Sequence, residues 1–417
     1  MNKKNRIIKY LLFFFTCIIV SCNNKKEAIP INVIPVASAV GNSNLPILNL
    51  SDYATEIKYI PLETNDSVLI GRNPKISSYE NKKILIDFLA PSGNYYLFDE
   101  NGKYCRKIGQ NGQGPDEYLL VAQNLIHNNH IYLRDGEKML IYDFNGSRIE
   151  RYNMFSNDIP AKYGSAGINI FPLKKDTFVM SVLSLDGDYP LAILAETYQS
   201  GIKMIKEYPN FAIINKLRLG IKGGEMGFMY RFKDDVRIYK LINDTIFTIG
   251  QDIEMKPAFV LDLGKYKLPL SYIEWKEEVD INNYITLNRI YESLNHLFIQ
   301  FHFRKYAPEP VAIMSRDGRL VNSLLGEVCS IFDKRTGEFT LLRQPVKGKL
   351  GFKNDIDGGP VIWPQYISSS NELVSLIQPE EFMDYYGKIT SPSAELTELA
   401  NKIEWDDNPI VIVAKLK

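Results

Sequence analysis

The chain has 417 residues and balances 49 Lys plus Arg against 49 Asp plus Glu, with 45% hydrophobic residues. That length suits one large closed fold or two ordinary domains, and the hydrophobic share is ample for a core. Without a basic surplus, nucleic acid is excluded as a partner class, because phosphate binding relies on excess Lys and Arg.

The first residues carry Lys3, Lys4 and Arg6, then an apolar run from Tyr10 to Val20, then Ile19-Val20-Ser21-Cys22. This order predicts a bacterial lipoprotein signal over residues 1–21 and a mature chain that begins at a lipidated Cys22. Small Ser21 suits a peptidase pocket, and the Cys22 thiol takes the lipid. The apolar run is shorter than the roughly 20 residues a bilayer core requires. The expected address is the cell envelope, at the outer membrane, with the membrane as partner through the N-terminal lipid. Residues 22–50, rich in Asn, Lys, Pro, Ser and Gly, read as the lipid anchor and a tether.

From residue 51 to 417 the character changes to short runs rich in Ile, Val, Tyr and Phe. Examples are Glu56–Leu62, Lys83–Phe88, Tyr95–Asp99 and His130–Leu133, separated by turn residues. A degenerate repeat organises them. Tyr95-Tyr96-Leu97-Phe98-Asp99-Glu100-Asn101-Gly102 matches Met139-Leu140-Ile141-Tyr142-Asp143-Phe144-Asn145-Gly146, each reading as the third strand and turn of a propeller blade. Weaker echoes fall at residues 191–196, 238–247 and 311–320. The C-terminal strand 409–416 is counted as another third strand, with no outer strand after it. Residues 56–62 can fill that place, so the expectation is an all-β, six-bladed β-propeller closed by an N-terminal strand. Ser393 before Ala394–Ile403 predicts a capped helix among the loops.

The segment Ile108-Gly109-Gln110-Asn111-Gly112-Gln113-Gly114-Pro115-Asp116-Glu117-Tyr118 superficially resembles a phosphate loop. It lacks both the following helix and a Gly-Lys-Ser or Gly-Lys-Thr ending. Gly109, Gly112, Gly114 and Pro115 are instead expected to turn the chain between one blade and the next. Glu117 should accept loop amides and Tyr118 should plug the gap between neighbouring sheets. This segment, together with Tyr96–Lys103, Tyr59-Ile60-Pro61-Leu62-Glu63-Thr64, Asn354–Pro360 with Trp363-Pro364, and Asp406–Ile410, resembles the six-bladed β-propeller lipoproteins of Bacteroidetes. Those are distantly similar to NHL-repeat and TolB-like propellers. The resemblance covers residues 50–417 and implies fold and an envelope setting. It implies no reaction.

Among polar residues, Asp355-x-Asp357-Gly358-Gly359 with Trp363 is the candidate ligand or metal site. Two carboxylates on one face of an extended segment beside flexible glycines could hold calcium, and the competing reading is two turn caps with Trp363 packed under them. No other cofactor is required. Cys105 and Cys329 could pair in an oxidising compartment, although an isolated thiol in a strand is the simpler reading. His127-x-x-His130 lies at a turn entering a strand and lacks further zinc ligands. No catalytic residue can be nominated, since the chain has no Gly-x-Ser-x-Gly elbow and carboxylate pairs by coincidence are inevitable. The functional expectation is therefore a non-catalytic envelope binding or scaffold protein that recognises a glycan, a peptide or an envelope partner. The alternative is a propeller hydrolase or lyase assisted by a metal.

Overall fold

A computed structural model describes residues 32–71, 74–88, 93–114, 117–156, 159, 168–182, 189–210, 227–241, 243–269, 279–314 and 320–417. The leader 1–21, Cys22 and Pro115 lie outside the described residues. The tether expected over 22–50 is corrected in its second half. Strand β1 (Asn32–Ile34) and the short helix α1 (Val36–Ala39) belong to the folded body, with Ile34, Val36 and Leu50 fully buried. Their apolar side chains fill a sheet edge, which composition alone did not disclose.

Strand β2 (Ala54–Pro61) follows, then an antiparallel sheet of β3 (Lys75–Glu80), β4 (Lys83–Phe88), β5 (Asn94–Asp99) and β6 (Tyr104–Lys107). The Asp99–Gly102 turn behaves as its sequence requires: Asp99 Oδ1 accepts the amides of Asn101 at 2.9 Å and Lys103 at 3.0 Å, while Gly102 takes φ +79°. After the short parallel pair β7 (Gln110–Asn111) and β8 (Glu117–Tyr118) come β9 (Val121–His127), β10 (His130–Asp135), β11 (Lys138–Tyr142) and β12 (Arg148–Asn153). The second copy of the turn repeats the geometry, with Ser147 N donating to Asp143 Oδ1 at 2.8 Å and Gly146 at φ +73°. Next are β13 (Ile168–Lys174), β14 (Thr177–Val182), β15 (Ala192–Tyr198) and β16 (Gly201–Tyr208), then β17 (Gly227–Phe232), β18 (Asp235–Lys240), β19 (Thr245–Ile249) and β20 (Met255–Leu261). Strand β1 adds parallel to β20, pairing Ile34 with Leu261.

The remaining strands are β21 (Thr286–Glu292), β22 (His296–His302), the small hairpin β23 (Ala312–Met314) and β24 (Leu320–Asn322), β25 (Glu327–Asp333), β26 (Phe339–Leu341), β27 (Tyr366–Ile367), β28 (Glu372–Ile377) and β29 (Ile410–Leu416). The echo at 311–320 is thus an inserted hairpin, because the third strand of its sheet is β25, which pairs along the whole of β22. The echo at 238–247 likewise spans the second and third strands of its sheet. Between β28 and β29 lie helices α2 (Pro379–Tyr386) and α3 (Ala394–Ala400). The second is capped by Ser393, whose Oγ accepts Leu396 N at 3.2 Å.

The fold is all-β and propeller-like, but the expected six-bladed ring is corrected. Four discrete blades of four antiparallel strands are present: β3–β6, β17–β20 extended by β1, β21-β22-β25-β26, and β27-β28-β29-β2. Eight of the remaining strands form one continuous sheet in the order β13-β14-β15-β16-β12-β11-β10-β9. It consists of two antiparallel four-strand runs fused where Asn153 pairs with Gly201 and Asn153 N donates to the Ser200 carbonyl at 2.9 Å. Its two edge strands, β9 and β13, approach one another, so the sheet curls nearly into a barrel filled by Leu125, Tyr132, Ile141, Phe178, Met180 and Ile193. A repeat in sequence marks strands and turns, whereas the join between outer edges is a tertiary contact. The final blade does close with the N-terminal strand: β2 runs antiparallel to β29, with Tyr59 opposite Ile412 and Pro61 opposite Ile410.

Cores lie between sheet faces. One, built on Phe298, Phe352, Trp363, Phe382, Leu396 and Ile412, joins the last two blades and seats both helices. Another, built on Ile60, Ile84, Phe98, Val374 and Val411, joins the closing blade to β3–β6. These positions are the inward members of alternating strands, which removes their apolar surface from water at about 25 cal/mol per Å².

Candidate functional site

Where the edge strands β3, β9, β13, β17, β21 and β27 converge they leave a cavity of about 760 Å³. The curled eight-stranded sheet contributes both of its edges to this wall. The volume lies within the range of small-molecule sites. Aromatic rings from Phe171, Phe228, Tyr230, Phe232, Tyr291 and Tyr366 alternate around it with polar groups.

Three polar clusters give the wall its character. Glu80, at the end of β3, accepts Tyr366 OH at 2.7 Å and Ser369 N at 3.0 Å, and it also accepts the Ser369 hydroxyl. Burial, and then the neighbouring Glu80 charge, hold the Tyr366 phenol well above its ordinary range. Glu292, at the end of β21, has a side chain only 1% exposed. It accepts Arg237 Nε at 3.1 Å, Arg237 Nη2 at 3.2 Å, Lys334 Nζ at 3.1 Å and Tyr230 OH at 3.0 Å. Burial works against the Arg237 charge, yet the carboxylate outweighs it and holds the guanidinium above its usual range. Lys334 sits below its ordinary value because burial wins there. Its ammonium also lies 4.0 Å from the centroid of the Phe232 ring.

The third cluster is cationic. Half-buried Arg231 on β17 donates to the carbonyls of Pro172 and, at 3.1 Å, Lys233. Those partners are carbonyl oxygens, and burial lowers its affinity for a proton against the opposing charges of Asp234 and Glu80. His127, at the end of β9, is pushed down to about 4 by burial, then by the charge of Arg231 and by His130. Its Nε2 is buried without a hydrogen-bond partner among the described residues, as is Oδ1 of Asn124 three residues earlier on β9.

The residues singled out from sequence fall elsewhere. Gly109 takes φ +63°, and an added Cβ there would stand 2.8 Å from both Tyr118 Cε1 and the Tyr142 hydroxyl. Gly114 N donates to Glu117 Oε2 at 2.8 Å, and a Cβ on Gly112 would run into the same carboxylate. Tyr118 is fully buried, donates to the Ile108 carbonyl at 3.2 Å and meets Tyr95 edge-on at 5.6 Å. This loop lies apart from the cavity wall.

Asp355 and Asp357 are not drawn onto a common partner. Asp355 Oδ1 accepts Ser51 N at 2.9 Å and Oδ2 accepts Ser51 Oγ at 2.6 Å, which lowers its proton affinity against the cost of burial. Asp357 Oδ1 accepts Gly359 N at 2.9 Å and Tyr59 OH at 3.3 Å. Burial, followed by the Asp357 charge, raises the Tyr59 phenol above its ordinary range. Among the described residues no group of three His, Cys, Asp or Glu side chains is placed to hold a metal ion. Trp363 stacks on Phe352 at 5.5 Å and lines a second cavity of about 290 Å³. Cys105 and Cys329 are both free thiols, the second fully buried. His127 and His130 face one another across the β9–β10 hairpin, whose Asn128 and Asn129 take φ +46° and +62°.

Sequence reasoning missed Arg231, Glu80, Tyr366 and Glu292 as wall residues. The available signal was the alternation Tyr230-Arg231-Phe232-Lys233 within one strand, a pattern that also suits any half-exposed strand.

Comparison with known proteins places the chain as follows. A family model described as "Domain of unknown function (DUF4934)" matches residues 31–415. The fold is similar to that of a Bacteroides fragilis protein that its name describes as exported, at TM-score 0.65 and 18% identity over 93% of this chain and 100% of that one. Weaker likenesses are a DUF4221 family member from Bacteroides vulgatus (TM-score 0.48, 12% identity, 87% and 97% covered) and a streptogramin B lyase (TM-score 0.38, 11% identity, 87% and 98% covered). At these identities the likeness concerns the fold alone. No curated protein matches.

Proposed function

This chain belongs to the DUF4934 family, and we propose that it is a non-catalytic binding protein of the cell envelope that receives a polar organic ligand in its central cavity. The observation that supports the reading is the cavity of about 760 Å³, which edge strands from five sheets wall with aromatic faces and hydrogen-bonding side chains. Glu80 and Glu292 are engaged by neighbouring donors, so they act in this reading as struts that hold the wall in shape. The envelope address rests on the lipoprotein-like leader ending at Cys22 and accords with the name of the Bacteroides fragilis protein of similar fold. Lipid on Cys22 would keep the body at a membrane surface, where glycans, peptides and envelope proteins are at hand.

The test is affinity capture with the chain lacking residues 1–21, against envelope glycans and envelope proteins, beside a Ser77→Trp variant that adds bulk at a cavity-lining position. Retention by the parent and loss by the variant is the expected outcome. Equal retention by both would move the binding site away from the cavity, and turnover of a captured substrate would replace a binding protein with an enzyme.

A further inference from the structure

We propose that the cavity ligand is an acidic saccharide, and that Arg231 is the residue that anchors its carboxylate or sulfate group. This deepens the binding reading above and rests on it. Four cations (Lys75, Arg231, Lys233 and Arg289) and three carboxylates (Glu80, Asp234 and Glu292) line the cavity. The carboxylates are not equivalent in what they offer a ligand. Glu292 is neutralised by Arg237 and Lys334 in a site that leaves its side chain 1% exposed. Glu80 has two hydrogen-bonding neighbours, Tyr366 and Ser369, that occupy both of its oxygens. Tyr366 and Ser369 are neutral, so Glu80 keeps its charge and, with Asp234, acts on Arg231; among the described lining residues the cations still outnumber these two carboxylates.

Arg231 is the focus of that surplus. Its guanidinium is half-buried, and its hydrogen bonds go to the carbonyls of Pro172 and Lys233, which orient the planar fork without cancelling its charge. A guanidinium held this way, in a site of reduced dielectric, offers paired N–H groups that match a planar carboxylate or a sulfate ester. Beside it, His127 Nε2 is buried with no hydrogen-bond partner among the described residues, and farther along β9, on the opposite face of the strand, Asn124 Oδ1 is likewise without one while its amide donates to Asp87. His127 is held neutral by burial and by Arg231 itself, so one ring nitrogen can accept or donate a hydrogen bond to a hydroxyl. Phe228, Tyr291 and Tyr366 supply ring faces for the C–H side of a sugar. An oxyanion anchor, neutral hydrogen-bonding atoms for hydroxyls and aromatic faces are together the complement of a charged sugar.

The experiment is titration calorimetry on the purified chain with four probes: trigalacturonate, a sulfated trisaccharide without carboxylates, maltotriose and hexaglutamate. Binding of trigalacturonate, the sulfated probe or both is expected, at least about 10-fold tighter than maltotriose and weakening as salt rises. Which of the two binds identifies the oxyanion. Arg231→Gln should cost the acidic probe about 10-fold and leave maltotriose unchanged, with Arg231→Lys recovering part of the loss. Because Arg231 also ties two strands together, the thermal melt of each variant is read alongside. The double variant Lys75→Gln, Lys233→Gln, which alters exposed charges alone, should reduce affinity for the acidic probe by about 3-fold. Maltotriose binding as tightly as the acidic sugars, or hexaglutamate binding while both acidic sugars fail, overturns the proposal and leaves a binding cavity standing. Failure of all four probes overturns it as well, and the cavity reading is then decided separately by the Ser77→Trp capture.

Discussion

Two joins between sheet edges behave oppositely in this molecule. Where β2 meets β29, seven residue pairs run from Ala54–Leu416 to Pro61–Ile410, and Ile60, Val411 and Ile412 carry the seam into two apolar cores. Where β12 meets β16, the backbone join is a single parallel pair, Asn153–Gly201, and the two four-strand runs are held as well by their shared core of Tyr132, Ile141, Phe178 and Ile193 and by the Gln123–Ile170 bonds. The first join ties the chain ends by burial along its length, and so couples distant blades cooperatively. The second is a short backbone contact on an outer edge whose strand β12 is largely exposed, so this backbone pairing adds little to the burial that already holds the two runs. A third kind of join is made by side chains: Glu292 on β21 reaches Arg237 on β18 of the neighbouring blade and Lys334 beyond β25.

Breaking the seam should have the largest effect. Deletion of residues 54–61 leaves β29 as an unpaired edge and opens two cores, so the expected result is loss of the cooperative thermal transition by circular dichroism. A deletion protein that melts like its parent would show that the seam is only a covering strand. Next comes the side-chain join: Glu292→Ala leaves Arg237 and Lys334 buried without their counter-charge and should cost about 3–5 kcal/mol in urea unfolding. A cost under about 1 kcal/mol would mean that the sheets are held by apolar packing alone.

The edge of the curled sheet should be the acid-sensitive part. His127 has its proton affinity lowered from the ordinary 6.5 to about 4, so its folded form prefers to be neutral. The associated stability is fully present above pH 6.5 and is lost as pH falls toward 4, about 1–2 kcal/mol after allowing for solvent screening. His127→Gln should flatten that slope. Hydrogen exchange at pH 5 should show β9 and β10 losing protection before β2 and β29, and the reverse order would contradict this account. Asn153→Pro removes the amide that donates to the Ser200 carbonyl at this join, and is expected to cost about 1 kcal/mol with no change in the cooperativity of unfolding. The smallest effect is expected at Asp355→Asn, a few tenths of a kcal/mol from weakened bonds to Ser51 on the exposed surface. Calcium titration of the parent and of the double Asp355→Asn, Asp357→Asn variant separates turn capping from metal binding, and a rise in melting temperature confined to the parent would favour the metal.

What the sequence determined by itself is local. The Asp99–Gly102 and Asp143–Gly146 turns follow from side-chain oxygens that cap nearby amides and glycines that tolerate positive φ. The helix after Ser393 follows from its cap, and the strand character of β29 follows from its unbroken β-branched run Ile410-Val411-Ile412-Val413. Closure was legible as well, because a final strand without an outer partner and an initial strand without a blade leave few other ways to satisfy two edges. Tertiary structure alone decided the fusion of eight strands into one curled sheet, since that depends on how the ends of β12 and β16 meet and not on any repeat. It also decided the inclusion of Ile34 and Val36 in the core, and it assembled the cavity wall. Glu80 and Ser369 are 289 positions apart, and Arg237 and Glu292 are 55 apart. No turn or period links such residues. They become neighbours because β3 meets the end of β27 and β21 faces the neighbouring blade's β18, where burial makes each unpaired charge costly and so selects which partners meet.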